Sequence, residues 1–167
     1  KRIIDSIGAI GLGMLTLPLM LLVALAIKLE DGRKVLYRQM RLGKGGKPFQ
    51  LLKFQSMVES AEASGPRWTV ANDPRVTRLG TFLRSTRLDE LPQLWNVLIG
   101  DISFIGPRPE RPEFVQKLEK DIPFYNIRHL VRPGLSGWAQ INNPLHSVEE
   151  SYEKLEYDLF YIKNRSL

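Results

Sequence analysis

Asp89 and Glu90 are adjacent carboxylates, preceded closely by Arg84 and Arg87 and followed by Leu91-Pro92. Proline is tolerated in a first helical turn, so this order predicts a helix starting near Asp89, with Asp89 at or near its N-cap. Two readings share that geometry. In one, Asp89 simply caps the helix and Glu90 is a helix-favouring neighbour. In the other, the helix N-terminus attracts anions and lowers a carboxylate pKa. Successive helical residues point about 100° apart, so one carboxylate can act as a nucleophile while the other stands near a metal. Oxygen-only ligands beside phosphate suit magnesium rather than zinc.

From Ala61 to Arg111 every basic residue is an arginine. The guanidinium fork binds phosphate in a bidentate way and stays charged when partly buried. The bias therefore fits a phosphorylated substrate, with surface ion pairs to the acids of the same stretch as the plainer account. Gly106-Pro107-Arg108-Pro109 is a stiff loop, which holds Arg108 at low entropic cost, as a preorganised phosphate clamp requires. Trp138 follows the glycine-rich stretch Arg132-Pro133-Gly134-Leu135-Ser136-Gly137. It can stack on a base, lie at a membrane interface or pack in the core. His129 has no evident partner and reads as structural. The chain has no cysteine, which excludes a disulfide scaffold, a thiol nucleophile and a Cys-ligated metal. His129 and His146 are its only histidines, so a multi-histidine metal site is excluded and Ser-His-Asp catalysis disfavoured.

These residues must be positioned by a chain of 167 residues, 43% apolar, which suits one domain with a real core. All of the net charge of +6 lies in residues 1–60, and residues 61–167 are neutral, which argues against a nucleic-acid partner. Ile7 to Ile27 carries no charge and is long enough to reach about 30 Å, the thickness of a bilayer core. Lys1 and Arg2 flank it on one side, Lys28, Arg33 and Lys34 on the other. Membrane insertion is expected. Pro18, near the middle, predicts a kink, with Thr16 placed to satisfy a freed carbonyl. A spanning helix with a tolerated proline fits. A re-entrant helix that leaves on the side it entered also fits, and accounts for both basic flanks.

Val35–Arg41 and Phe49–Met57 alternate loosely around the turn cluster Gly43–Pro48, which predicts a β-hairpin; the glycines and lysines lack P-loop spacing. Residues 58–66 begin as a short helix and end in a breaker. Asn72-Asp73-Pro74-Arg75 is a turn. Helices are expected over 76–88, 89–99, 110–120 and 147–163, and loop over 132–137. The fold class is α+β, mostly helical.

The run from Arg84 to Pro109 strongly resembles the bacterial sugar transferase family, the monotopic phosphoglycosyl transferases. The resemblance extends to Lys1-Arg2 with Asp5, Leu17-Pro18, Gln39, Arg41, Gly43, Lys53-Phe54, Asn72–Arg75, Arg132–Gly134, Gly137–Gln140, Tyr157-Asp158 and Tyr161–Asn164. It implies a membrane-embedded re-entrant segment, helix-break-helix, in residues 1–30, with the break at Pro18. Residues 31–167 would form a membrane-associated catalytic domain with a small β-hairpin and interfacial amphipathic helices. The active site would face the cytoplasm at the bacterial inner membrane.

The implied reaction moves a sugar 1-phosphate from a UDP-sugar to polyprenyl (undecaprenyl) phosphate. Asp89 attacks the β-phosphate, UMP leaves, and the lipid phosphate then attacks the covalent intermediate. The resemblance implies magnesium, with Asp89 and Glu90 as its ligands. It also implies that Arg84, Arg108, Lys53 and Arg132 hold phosphate oxygens, and it leaves room for a homodimer. Gln55-Ser56 departs from the family's Arg-Thr, and Ile102 from its Met. Asn143-Pro144 and Glu110–Phe114 resemble exopolysaccharide-initiating members with an extra N-terminal region, so the chain is expected to be a catalytic fragment. Two rival expectations remain. One is a membrane phosphohydrolase or nucleotidyl transferase, releasing phosphate or pyrophosphate. The other is a non-catalytic basic module that binds anionic membrane, whose function survives Asp89→Asn.

Overall fold

The structure, a computed structural model, describes residues 1–63, 65, 67, 70, 73–142 and 149–164. Helix α1, Arg2–Asp31, has 30 residues, or about 45 Å at the α-helical rise. It is long and apolar enough to cross a membrane. It ends where Gly32 turns left-handed, at φ 72°, and returns its N–H to the Lys28 carbonyl. The helix continues through Pro18, so the expected break is not a gap in helical conformation. The Thr16 hydroxyl donates to the Leu12 carbonyl at 2.7 Å, one turn back from itself. It does not serve the Met14 carbonyl, the group that Pro18, lacking an N–H, leaves without its helical donor.

Both ends of α1 grip the rest of the chain. Near the N-terminus, Asp5 is buried and its Oδ2 accepts from Ser103 Oγ at 2.8 Å. Arg2 donates to the carbonyls of Val97 and Leu98. Ala9 packs with Leu51, Val97 and Ile102. Near the C-terminus, Val23 and Ile27 pack with Phe54 and Leu83, and Glu30 accepts from the Leu79 N–H at 3.3 Å. Between these anchors Leu12, Met14, Leu15, Leu17, Leu21 and Leu22 are exposed.

Strands β1, Leu36–Leu42, and β2, Pro48–Phe54, form the expected antiparallel hairpin, with Leu36 opposite Phe54 and Leu42 opposite Pro48. Helix α2, Arg78–Ser85, is capped by Thr77, whose hydroxyl accepts from the Gly80 N–H at 2.9 Å. Gly80 sits on the main chain of Ser56 so closely that a Cβ would collide with it. Arg87, left-handed at φ 60°, then reverses the chain into a 3₁₀ turn over Leu88–Glu90, and α3 runs from Gln93 to Ile99.

This corrects the expectation of an α-helix starting at Asp89. Pro92 has no N–H to give the Leu88 carbonyl, so the turn keeps i→i+3 bonds, including Leu91 N–H to Leu88 at 3.2 Å. Asp89 makes no capping bond. Asn96, almost fully buried on α3, fastens the hairpin: its Oδ1 accepts from the Leu52 N–H at 3.0 Å and its Nδ2 donates to the Gln50 carbonyl at 2.8 Å.

A second pairing was not expected. β3, Ser103–Ile105, and β4, Gly134–Ser136, lie parallel, with Ser103 opposite Gly134 and Ile105 opposite Ser136. The sequence reading had loop over 132–137, because three-residue strands carry too little periodicity to register. At this pairing Gly106, Gly134 and Gly137 bring main chain against main chain, and a Cβ on any of them would meet backbone atoms of the opposing segment. Helix α4, Pro112–Asp121, carries Pro112 in its first turn. It packs with the 3₁₀ segment Tyr125–Leu130 and with helix α6, Glu149–Asn164, around Val115, Leu118, Ile122 and Leu155. Helix α5 is Trp138–Asn142. The expectations at Ser64, Pro66, Asn72, Asn143-Pro144, His146 and the start of the helix at 147–148 lie outside the described residues.

Candidate active site

The strand period of two sends Tyr37, Gln39 and Arg41 of β1 to one face of the hairpin, with Lys53 opposite Tyr37 on β2. That face is one wall of a cavity of about 510 Å³. Arg84 enters from α2, Asp89 and Glu90 from the 3₁₀ turn, and Arg108 from the loop after β3. Glu62 and Arg111 complete the wall away from the hairpin. The structure thus brings together five of the six residues expected to handle phosphate or metal. Arg132 is exposed and does not belong to this wall.

Glu90 is the hub of the cations. Its Oε1 lies 2.8 Å from Lys53 Nζ, 3.4 Å from Arg108 Nη2 and 3.9 Å from Arg87 Nη1. Burial alone would raise its pKa; Lys53 and Arg108 outweigh burial and hold it down at about 2. Glu90 is therefore ionised at any working pH. Asp89 differs. It is 6% exposed, and its Oδ1 is buried without a hydrogen-bond partner. Burial pushes its pKa up, and Lys53 and Arg84 only partly counter that. Lys53 is held below its ordinary value by burial and by Arg108. Arg84 is steadied by its Nε–H to Ser56 Oγ at 2.9 Å, so the serine that departs from the family pattern orients an expected phosphate ligand.

Asp89 lines this cation-rich cavity, and a carboxylate with a buried, partnerless oxygen needs a positive centre near it. It suits either an electrophilic phosphorus or a hard cation. Among the described residues no three His, Cys, Asp or Glu side chains cluster as a metal site. Asp89 and Glu90 are the two carboxylates that could hold magnesium, an ion that commonly completes its shell with water and substrate phosphate.

Sequence reasoning missed the far wall. Glu62 accepts from Arg111 Nη1 at 2.7 Å, Tyr37 Oη at 2.9 Å and Gln39 Nε2 at 3.3 Å. The alternation Tyr37, Gln39, Arg41 was a usable signal for the strand face. Glu62 and Arg111 reach the cavity through tertiary packing that no local pattern announces. Trp138, left open between three settings, is 45% exposed and stacks on Phe160 with ring centroids 6.5 Å apart, which excludes the core.

A family profile described as bacterial sugar transferase matches residues 1–167. The chain is 46% identical, over its whole length, to a UDP-N-acetylgalactosamine-undecaprenyl-phosphate N-acetylgalactosaminephosphotransferase of Aeromonas hydrophila, of which it spans 40%. It is 41% identical to a UDP-glucose:undecaprenyl-phosphate glucose-1-phosphate transferase of Escherichia coli, again over its whole length, and spans 37% of that relative. It is 38% identical to an exopolysaccharide production protein PSS of Rhizobium leguminosarum bv. phaseoli, covering all of this chain and 87% of that one.

Proposed function

Since the chain belongs to the bacterial sugar transferase family, we propose that it transfers a sugar 1-phosphate from a UDP-sugar to polyprenyl phosphate, as the names of its relatives describe for theirs. One observation carries the reading: Asp89, a carboxylate with a partnerless oxygen, lines a cavity walled by Lys53, Arg84 and Arg108. The Asp89 oxygen attacks the β-phosphorus of the donor. The bond from that phosphorus to the bridging oxygen breaks, and UMP leaves with the electron pair. An oxygen of the lipid phosphate then attacks the same phosphorus, and the bond to Asp89 breaks to restore the carboxylate. Neither step needs a proton from the protein. Lys53, Arg84 and Arg108 neutralise charge on the transferring group, and Glu90 fixes Lys53 and Arg108 in place. Magnesium, held by Asp89 and Glu90, would supply further charge neutralisation on the diphosphate.

The membrane reading rests on α1. A spanning helix would separate its ends across the bilayer. Here both ends pack on one body while the apolar middle stands exposed, which supports a re-entrant passage that bends near Pro18. Basic flanks on both sides agree with a cytoplasmic origin at the inner membrane. This keeps the cavity at headgroup depth, where a lipid phosphate is presented. The relatives' names carry different sugars, so the donor sugar is left to the test. With the chain in nanodiscs, magnesium and a panel of UDP-sugars, sustained UMP release should require polyprenyl phosphate, a single burst should appear without it, and both should vanish in Asp89→Asn. Release of inorganic phosphate instead of UMP, or full activity in that variant, would sink the proposal.

A further inference from the structure

Three successive carbonyls of the loop that carries Arg108 are each held by a different element. Pro107 accepts from the Gly134 N–H, Arg108 from Arg128 Nη2 and Pro109 from Arg41 Nη1, each at 2.9 Å. Arg41 stands in the cavity wall and belongs with the binding residues. Arg128 does not. It is buried behind the loop, where its Nη2 also pairs with Asp158 Oδ2 of α6 at 2.8 Å. Its Nη1 donates to the Tyr125 hydroxyl, and its guanidinium lies 4.9 Å from the Tyr125 ring centroid. Asp158 is 2% exposed. For stability alone, an apolar pair of similar volume commonly does as well as a buried ion pair. An apolar pair cannot hold a carbonyl at a fixed point.

We infer that Arg128, fixed by Asp158, is a positioning residue that sets Arg108 for phosphate binding. The inference rests on reading Arg108 as a phosphate ligand. Arg108 Nη2 lies 3.4 Å from Glu90 Oε1, close enough to be placed and loose enough to be taken by a stronger anion. The two prolines remove most of the loop's own freedom, so its orientation is set by what grips its carbonyls. A lysine at 128 keeps the charge but has no fork with which to hold the Arg108 carbonyl, Asp158 and Tyr125 together. Through Asp158, the grip reaches a helix that also carries Phe160, which is exposed and stacked on Trp138. The seating of α6 is thereby tied to the phosphate end of the cavity.

The test uses the chain in nanodiscs. UDP affinity by calorimetry and donor kcat/KM by UMP release are measured for Arg128→Lys and Asp158→Asn. Each is made with Arg108 intact and with Arg108→Ala, and thermal melts accompany every variant. With Arg108 intact, each substitution should weaken UDP binding and lower kcat/KM about tenfold; with Arg108→Ala the loss should shrink below about twofold, because residues acting through one another are not additive. Equal losses in both backgrounds overturn the inference, since a packing defect alone behaves so. Asp158→Asn, nearly isosteric, keeps the test open where Arg128→Lys does not fold. A wild type that shows this coupling in UDP binding yet releases no UMP overturns the transferase reading and leaves the positioning one standing. A wild type that does not bind UDP overturns both.

Discussion

At the scale of single residues, Asp89 and Glu90 are neighbours in sequence with opposite electrostatic fates. Burial raises the pKa of Asp89, so the proposed nucleophile must be ionised where ionisation is opposed. The donor kcat/KM should therefore fall, as pH is lowered, above the usual carboxylate range. Lys53→Met removes a countering charge and should move that limb to higher pH; a pH profile of UMP release checks both. The stability signs differ as well. Glu90, with its pKa held at about 2, stabilises the fold above its ordinary pKa of 4.5, and that contribution is lost as pH falls between the two. Asp89, raised, stabilises only when protonated, and that contribution is lost as pH rises through its folded pKa. At neutral pH, Asp89→Asn should abolish turnover yet raise Tm, because the amide carries no charge for burial to oppose. A lower Tm in that variant would contradict the burial argument. The carboxylate pair and the arginine bias were legible in the sequence. The inequality between the two carboxylates was not, because it comes from the burial of Asp89 and from the Lys53 and Arg108 cations that tertiary packing brings to Glu90.

At the scale of elements, the hairpin was readable because two signals agreed, the alternation of β1 and β2 and the glycines between them. The β3–β4 pair was unreadable for the opposite reason: each strand has three residues, and its partner is about thirty residues away. The start of α3 was misplaced because proline permits two kinds of turn before a helix, and sequence does not choose between them. The seating of α2 gives a sharp test. Gly80→Ala drives a Cβ into the Ser56 main chain, so it should cost about 1–3 kcal/mol, the usual range for overpacking. It should also weaken donor use by disturbing the bond from Arg84 to Ser56. Gly11→Ala on α1, where nothing lies within 4 Å, is the control, and helix propensity favours the alanine by about 1 kcal/mol. Denaturation of the detergent-solubilised protein compares the two.

At the scale of the whole molecule, the two anchors of α1 decide how the chain meets a membrane. The chain has no cysteine, so single cysteines can be introduced one at a time without background. Lys1→Cys and Lys34→Cys should both react with an impermeant maleimide from the cytoplasmic face of inverted vesicles. Labelling of one from each face would replace the re-entrant passage with a span. The length and apolarity of this segment were legible in the sequence. That both its ends pack on one body was not, because this depends on Asp5 finding Ser103 and Ile27 finding Leu83. The meeting of Gly106, Gly134 and Gly137 bears on how this chain can be changed. A side-chain clash can be relieved by a second substitution that makes room, but these three positions face peptide backbone, which no substitution trims. In a saturation library, all three should tolerate nothing, alanine included. Variation in donor choice is better sought where side chains meet side chains, at Tyr37 and Gln39 of the hairpin and at Glu62 and Arg111 opposite, where neighbours can be rewritten together.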